Sequence, residues 1–356
     1  MLSSSEFRDL VTGRRRGLPA ALARLGLRAA EVPYTLAVRW RNRRYDTGAA
    51  KIHRVGVPVV SVGNLTLGGT GKTPMVEWIA RWFRAAGVRV TVVSRGYGAE
   101  AGASNDEALA LEQNLPDVPH VQNPDRVAAA ELAIEELDCE LIVLDDAFQH
   151  RRIARDLDVV LLDALEPFGL GHVFPRGTLR EPVEGLRRAH LVALSRADMV
   201  GPERREEIHR RVRRYAPDAA WAEVVHAPRA LLGAAGQQRP PESLAGRSVA
   251  AFCGIGNPAG FRHTLDACAY QVAAWREFPD HHPYEREDVE SLRAWAGGLD
   301  VAAVVCTQKD LVKLDVEQLG HRPLWAVGIG LEFLAGQAEL EAKLAAVLGA
   351  GDSARR

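Results

Sequence analysis

The sequence predicts an α/β protein: a mostly parallel sheet with helices on both faces, followed by a second, smaller α/β domain. Three observations predict it. From Val57 onward, short apolar runs alternate with stretches of helical periodicity, and strands separated by helices form a parallel sheet covered on both sides. A glycine-rich loop joins the first such strand to the first such helix. Composition then shifts at residues 227–247 to Gly, Ala, Gln and Pro before the alternation resumes, which reads as a domain edge. At 356 residues the chain is long for one domain, so a division is expected. The expected segments are a basic N-terminal helix over 1–50, a core domain over 51–226, a linker over 227–247 and a smaller domain over 248–350.

The N-terminal segment comes first. Between residues 18 and 40, apolar residues fall at 18, 22, 25, 29, 32, 36 and 40, which is one helical face, with arginines on much of the rest. Pro19 suits a first helical turn, and Pro33 predicts a break or kink. Residues 1–50 hold ten Arg against four acidic residues, a local charge of +6 on a chain of net charge −1. Two compatible readings follow: a helix packed on the domain behind it, or a basic amphipathic helix seated on anionic lipid.

The sheet follows. Residues 57–62 read as a buried strand, 72–86 as a helix stopped by Gly87, and 88–94 as a second strand. Asn123 and Pro124 mark a helix start, which leads to strands at 140–144, 157–162 and 191–194. In the second domain the elements are a strand at 248–253, a helix from Pro258 and a strand at 302–306, and residues 351–356 read as a disordered tail.

Bulk properties narrow the function. An apolar fraction of 47% and a charged fraction of 26% are those of an ordinary soluble protein. The near-neutral charge gives no nucleic-acid signature, and nothing calls for an obligate protein partner. Cys139, Cys253, Cys268 and Cys306 form no CxxC pair, which argues against a zinc site or disulfide framework and suits a reducing cytoplasm. No apolar core follows the early arginines, so no signal peptide is expected, and no run of 18 apolar residues would span a bilayer.

The chemistry is concentrated in the run from Ser61 to Thr73, SVGNLTLGGTGKT. A strict Walker A motif needs Gly five residues before Gly71, and Thr66 stands there. The physics survives: Gly68, Gly69 and Gly71 let backbone amides curl around phosphate oxygens ahead of a helix N-terminus. The nucleotide contacts expected are Thr66, Leu67, Gly68, Gly69, Thr70, Gly71, Lys72 and Thr73. Lys72 would reach the β- and γ-phosphates and the Thr73 hydroxyl would ligate Mg²⁺. The fold class is therefore P-loop NTPase-like. The apolar strand ending in Asp145 and Asp146 has the form of a Walker B element. Adjacent side chains on a strand point oppositely, so the two acids divide the work between metal and substrate, water or a neighbouring loop.

Together several stretches resemble the tetraacyldisaccharide 4′-kinase family, which acts in lipid A synthesis in Gram-negative bacteria. They are VGNLTLGGTGKTP (62–74), SRGYG (94–98), LDDAFQHRRIARDLD (144–158), LREP (179–182), FPDH (278–281) and TQKDLVKL (307–314), in order over most of the chain. The resemblance implies ATP-dependent phosphorylation of the 4′-hydroxyl of a tetraacyldisaccharide 1-phosphate, forming lipid IVA. It also implies peripheral binding to the cytoplasmic face of the inner membrane. It places Asp106 and His281 as a base pair for the sugar hydroxyl, meeting only if the two domains close. Lys72, Asp146 and Arg180 act on the transferring group, Glu107 joins Thr73 and Asp145 at Mg²⁺, and Gln149 and His150 follow in the same loop. Where the family has Gly, this chain has Ala147, and where the family often has Pro, it has Ala108; neither change removes a reactive side chain.

Two other classes compete. Gly254-Ile-Gly-Asn-Pro-Ala259 is a formal GxGxxA that hints at dinucleotide binding. Ser195-Arg-Ala-Asp198 after a strand echoes the guanine-reading NKxD motif. The alternative function is therefore a regulatory or partitioning P-loop NTPase at a membrane.

Overall fold

The computed structural model describes residues 4–96, 106–280, 282–314 and 316–354, with side chains except at 4, 5, 106–108 and 350–354. Two helices lead in, α1 (Ser4–Val11) and α2 (Leu18–Asp46). The first lobe then follows as β1 (Val59–Asn64), α3 (Lys72–Ala85), β2 (Val90–Ser94), α4 (Asp106–Asn114), β3 (His120–Gln122) and α5 (Arg126–Glu136). It continues through β4 (Leu141–Asp145), β5 (Leu157–Asp163), β6 (Leu191–Ser195), α6 (Pro202–Arg213) and β7 (Ala220–Leu232). After the short β8 (Gln238–Arg239), the second lobe comprises β9 (Ser248–Cys253), α7 (Pro258–Ala267), β10 (Gln271–Glu277) and α8 (Arg286–Gly297). It ends with β11 (Ala303–Thr307), α9 (Gln308–Leu314), β12 (Gln318–Leu319), β13 (Arg322–Ala335) and α10 (Gln337–Ala354).

Among the described residues these strands form one sheet in the order β10-β9-β11-β13-β7-β6-β5-β1-β4-β2-β3, with β8 and β12 on its margin. Both lobes are parallel, as the alternation of strands and helices predicts. They join where β7 and β13 run antiparallel from Leu232↔Ala326 to Glu223↔Ala335. That pairing overrides the expected linker, whose first residues, 227–232, lie inside β7. Pro228 cannot donate to a ladder, and it sits where the register shifts between Gly328 and Ile329, so a bulge absorbs it.

Each lobe buries apolar side chains on both sheet faces. In the first, Met75, Ile79 and Phe83 of α3 pack on Val60, Val62 and Leu141, while Leu65, Phe148 and Leu162 fill the opposite face. Leu340, Leu344 and Val347 of α10 join the α3 side of that core. The last helix of the expected second domain therefore returns to the first lobe, because its apolar stripe finds its cover there. It also runs to Ala354, through four residues read as a tail.

Of the break or kink expected at Pro33, the break does not form: the N-terminal helix continues through Pro33 from Leu18 to Asp46. Tertiary bonds on both sides offset the missing backbone bond: Glu31 accepts from Val173 N and Arg176, and Tyr34 donates to the Arg180 carbonyl. Ala20 and Val38 are buried, but Leu18, Leu22, Leu25, Val32, Leu36 and Trp40 are each 58–80% exposed. The predicted apolar face points away from the core. No helix among the described residues is long and apolar enough to cross a membrane.

Candidate active site

The site grows from the loop between β1 and α3. Three of its carbonyls are held from outside by side chains. Asn64 Nδ2 reaches the Gly68 carbonyl at 3.4 Å, Arg196 donates to that of Gly69 at 2.9 Å, and Ser195 Oγ donates to that of Thr70 at 2.7 Å. A trans peptide sets its N–H opposite its C=O, so each tied carbonyl turns the next amide toward the cleft. Gly68 and Gly71 take the left-handed turns this needs, at φ 109° and 79°. Gly71 is also pressed by a neighbour, since a Cβ there would lie 2.2 Å from His226 Nε2. Helix α3 starts without a side-chain cap, so its first amides remain for an anion.

Thr66 is drawn out of this cradle, and Leu67 gives its amide to the framework while its side chain still lines the cleft. Thr66 is buried and bridges to Leu179, and the Leu67 N–H donates to the Thr178 carbonyl at 2.7 Å. Arg180 N in turn donates to the Leu65 carbonyl at 2.7 Å. This short ladder makes residues 65–67 framework, and it aims Arg180 over the loop.

Asp146 follows β4 in a left-handed conformation, φ 51°. Arg180 Nη1 donates to both of its oxygens, at 2.7 and 2.9 Å, and Lys72 Nζ lies 3.6 Å from Oδ1. Burial pushes the Asp146 carboxyl up, but Lys72 and Arg180 outweigh it and hold the group below the ordinary carboxylate range. Beside it, Asp145 is buried and stands in register with Val62 of β1. Behind Arg180, the fully buried Glu181 accepts hydrogen bonds from Arg188, Asn42 and Gln149. Gln149 also donates to the Asn64 carbonyl at 2.8 Å, so the LREP and DDAFQH segments are locked together.

These groups line a cleft of about 1010 Å³ whose opposite wall includes Gly256, Asn257, His263, Asp280 and Gln308 of the second lobe. His120 and His150 also line it, and burial first of all lowers each to about 4, so both are neutral. The side chains of Asp106 and Glu107, and His281 altogether, lie outside the described residues. Their neighbours are placed: Asp280 faces the cleft, and α4, which starts at Asp106, meets α9 through hydrogen bonds between the side-chain amides of Asn114 and Gln308, at 2.8 and 3.3 Å.

The structure adds residues that the sequence reading missed. Asn64 sits inside the motif that carried the resemblance, and Glu181 inside LREP, so a signal existed for both. Ser195 and Arg196 were legible only as a guanine echo. His226 has no local signal, because β7 brings it to Gly71 from 155 residues away (226 − 71). The GxGxxA reading fails on its donors: Gly254 N–H goes to Asp310 Oδ1 at 3.0 Å, so it is not open to a pyrophosphate.

The sequence profile of the tetraacyldisaccharide-1-P 4′-kinase family matches residues 23–349. The chain is 44% identical over 360 residues to the tetraacyldisaccharide 4′-kinase of Anaeromyxobacter sp. (strain K), covering 96% of this chain and 95% of that protein. It is 39% identical to the one from Geobacter metallireducens, over 81% of this chain and 88% of the other. The crystal structure of Aquifex aeolicus LpxK in complex with ATP superposes with a TM-score of 0.72 at 27% identity, covering 91% of this chain and 99% of that one.

Proposed function

The chain belongs to the tetraacyldisaccharide-1-P 4′-kinase family, and on that premise we propose how its cleft performs the reaction. It is an ATP-dependent kinase of lipid A synthesis, transferring the γ-phosphate to the 4′-hydroxyl of a tetraacyldisaccharide 1-phosphate. The observation that carries the mechanism is the Lys72–Asp146–Arg180 cluster at the end of an open amide cradle. Asp146 keeps two cations side by side that would otherwise repel. When the triphosphate enters, both turn to its terminal oxygens, where phosphoryl transfer spreads negative charge.

Mg²⁺ suits the donors present. The Thr73 hydroxyl and the Asp145 carboxylate are hard oxygen ligands lining the same cleft, and this ion takes one or two protein oxygens beside phosphates and water; Glu107 would add a third. When bound, Mg²⁺ neutralises charge on the phosphate oxygens. The acceptor oxygen bonds to the γ-phosphorus as the bond to the β,γ-bridging oxygen breaks, and ADP leaves. Asp106, paired with His281, takes the hydroxyl proton. Both lobes line the cleft, so their approach completes the site.

The exposed apolar face of α2, flanked by Arg28, Arg39, Arg43 and Arg44, is the seat on the inner membrane's cytoplasmic leaflet. Each Arg near an anionic surface contributes about 1 kcal/mol. A bilayer occupant explains both the apolar face and its basic margin, and it delivers an acylated substrate to the cleft.

The test uses purified protein, labelled ATP and tetraacyldisaccharide 1-phosphate in mixed micelles. Lys72→Ala should abolish product, and Asp106→Ala and His281→Ala should each lower kcat roughly 10²–10⁴-fold. Turnover of Asp106→Ala within a few-fold of wild type would refute the base assignment. A variant lacking residues 1–45 should lose binding to anionic vesicles; undiminished binding removes the membrane role from α2.

A further inference from the structure

We propose that the TQKD segment at 307–310 is the positioning element for the proton acceptor: Gln308 sets the helix that begins at Asp106, and Asp310 sets the loop that carries His281. This goes beyond the assignment of Asp106 and His281 as the base pair, and it rests on that assignment. Thr307, Gln308 and Lys309 line the second-lobe wall of the cleft, yet the phosphate chemistry leaves the segment without a role.

Gln308 opens α9, and it meets Asn114, the last residue of α4. The two side-chain amides exchange both bonds: Gln308 Nε2 donates to Asn114 Oδ1 at 2.8 Å, and Asn114 Nδ2 donates to Gln308 Oε1 at 3.3 Å. Asn114 Nδ2 also donates at 2.8 Å to Glu77 of α3, which is buried. The end of α4 is thus tied at once to the phosphate helix and to the second lobe. Asp106 stands eight positions back along α4 (114 − 106), about 12 Å away at 1.5 Å per residue. A tilt of about 5° at this clasp moves the far end of the helix by about 1 Å. A misplacement of that size costs about 10²-fold in rate.

Two positions on, Asp310 acts on the other partner. It is fully buried, and its Oδ1 accepts from the Tyr284 hydroxyl at 2.9 Å and from Gly254 N at 3.0 Å, while Oδ2 accepts from Thr307 at 2.6 Å. Tyr284 lies three residues beyond His281 and is left-handed at φ 53°, a conformation that persists only where its surroundings impose it. Between them, His282 stacks on Phe278 with ring centroids 4.9 Å apart, and its Nε2 shares a 2.8 Å hydrogen bond with Asp288 of α8. Phe278 N in turn donates to the Cys253 carbonyl at 2.8 Å. The loop is therefore held on both sides of His281. One short helix refers two groups 175 positions apart in the chain (281 − 106) to a single point.

Turnover of the full chain is measured with labelled ATP and tetraacyldisaccharide 1-phosphate in mixed micelles. Gln308→Ala and Tyr284→Phe should each lower kcat roughly tenfold or more, with ATP affinity within about threefold of wild type. Gln308→Ala added to Asp106→Ala should then lower kcat by less than about twofold, as should Tyr284→Phe added to His281→Ala, because the group being positioned is already gone. A merely structural bond would cost the same factor in either background. Equal factors in both, or single variants that keep wild-type kcat, overturn the proposal. Should Gln308→Ala not fold, Gln308→Met keeps the length and is read in the same way. Near-wild-type turnover of Asp106→Ala and His281→Ala would instead sink the base assignment, and the proposal with it.

Discussion

Two glycine-rich loops follow parallel strands of this sheet, residues 68–73 after β1 and residues 254–259 after β9. Each leads into a helix, and each faces the shared cleft. In the first, side chains from β1 and from the end of β6 hold the carbonyls, and the amides are left over. In the second, the arrangement is inverted. The Gly254 amide is taken by Asp310, and the Gly260 amide, at the start of α7, by the Asn257 side chain at 3.0 Å. Asp310 is fully buried and also accepts from Tyr284 at 2.9 Å and Thr307 at 2.6 Å. One loop is built to receive an anion and the other to be a fixed wall. Glycine content does not distinguish them; the direction of the hydrogen bonds does.

The sharpest way to break this contrast is to crowd the first loop. Gly71→Ala puts a Cβ against His226 at a left-handed position, so ATP affinity should fall by roughly 10²-fold in an equilibrium titration. Normal binding by this variant would mean that the cradle does not hold the phosphates.

Asp310→Ala tests the other loop. It leaves two buried donors, Gly254 N and Tyr284 OH, and the part-buried Thr307 hydroxyl without their acceptor, so the stability measured by urea unfolding should drop by about 2–4 kcal/mol. ATP affinity of the folded fraction should change little, because the first loop does not depend on that carboxylate. A loss of ATP binding matching that of Gly71→Ala would erase the distinction. Gly256→Ala is milder still. Its Cβ would meet the end of the Asp280 side chain at 2.8 Å, and ATP affinity should stay within about threefold of wild type.

The smallest effect is in pH. Around the first loop, His120 and His150 are lowered to about 4 by burial, while the unfolded chain titrates them near 6.5. Below pH ~6.5 the unfolded state therefore binds more protons, so their contribution is complete above that value and is lost as pH falls toward ~4. Behind the second loop, burial raises Asp310 against the pull of Thr307 and Tyr284. That group favours the folded state at low pH and loses its contribution as pH rises through its folded value. Thermal midpoints at pH 7 and pH 5 should show a decline on acidification that His150→Gln reduces. An unchanged decline would place its source elsewhere.

Much of this was legible in the chain itself. A phosphate loop is local, since its glycines, lysine and helix start are consecutive, and a Walker B strand declares itself by an apolar run ending in acids. Element order and parallel pairing follow from alternation, because a crossover long enough to hold a helix returns the chain in the same direction. The exposed face of α2 was legible as periodicity, but not as exposure.

What the sequence determined, then, is the set of segments whose chemistry is carried by neighbours in the chain. Only the tertiary structure decided the rest. It showed that β7 and β13 bind two lobes into one sheet and that Arg196 reaches back 127 residues to the Gly69 carbonyl. It also showed Asp146 held between Lys72 and Arg180. The reason is that a hydrogen bond depends on direction and distance in space, and residues far apart in sequence acquire both only when the sheet has brought its strand ends to one edge.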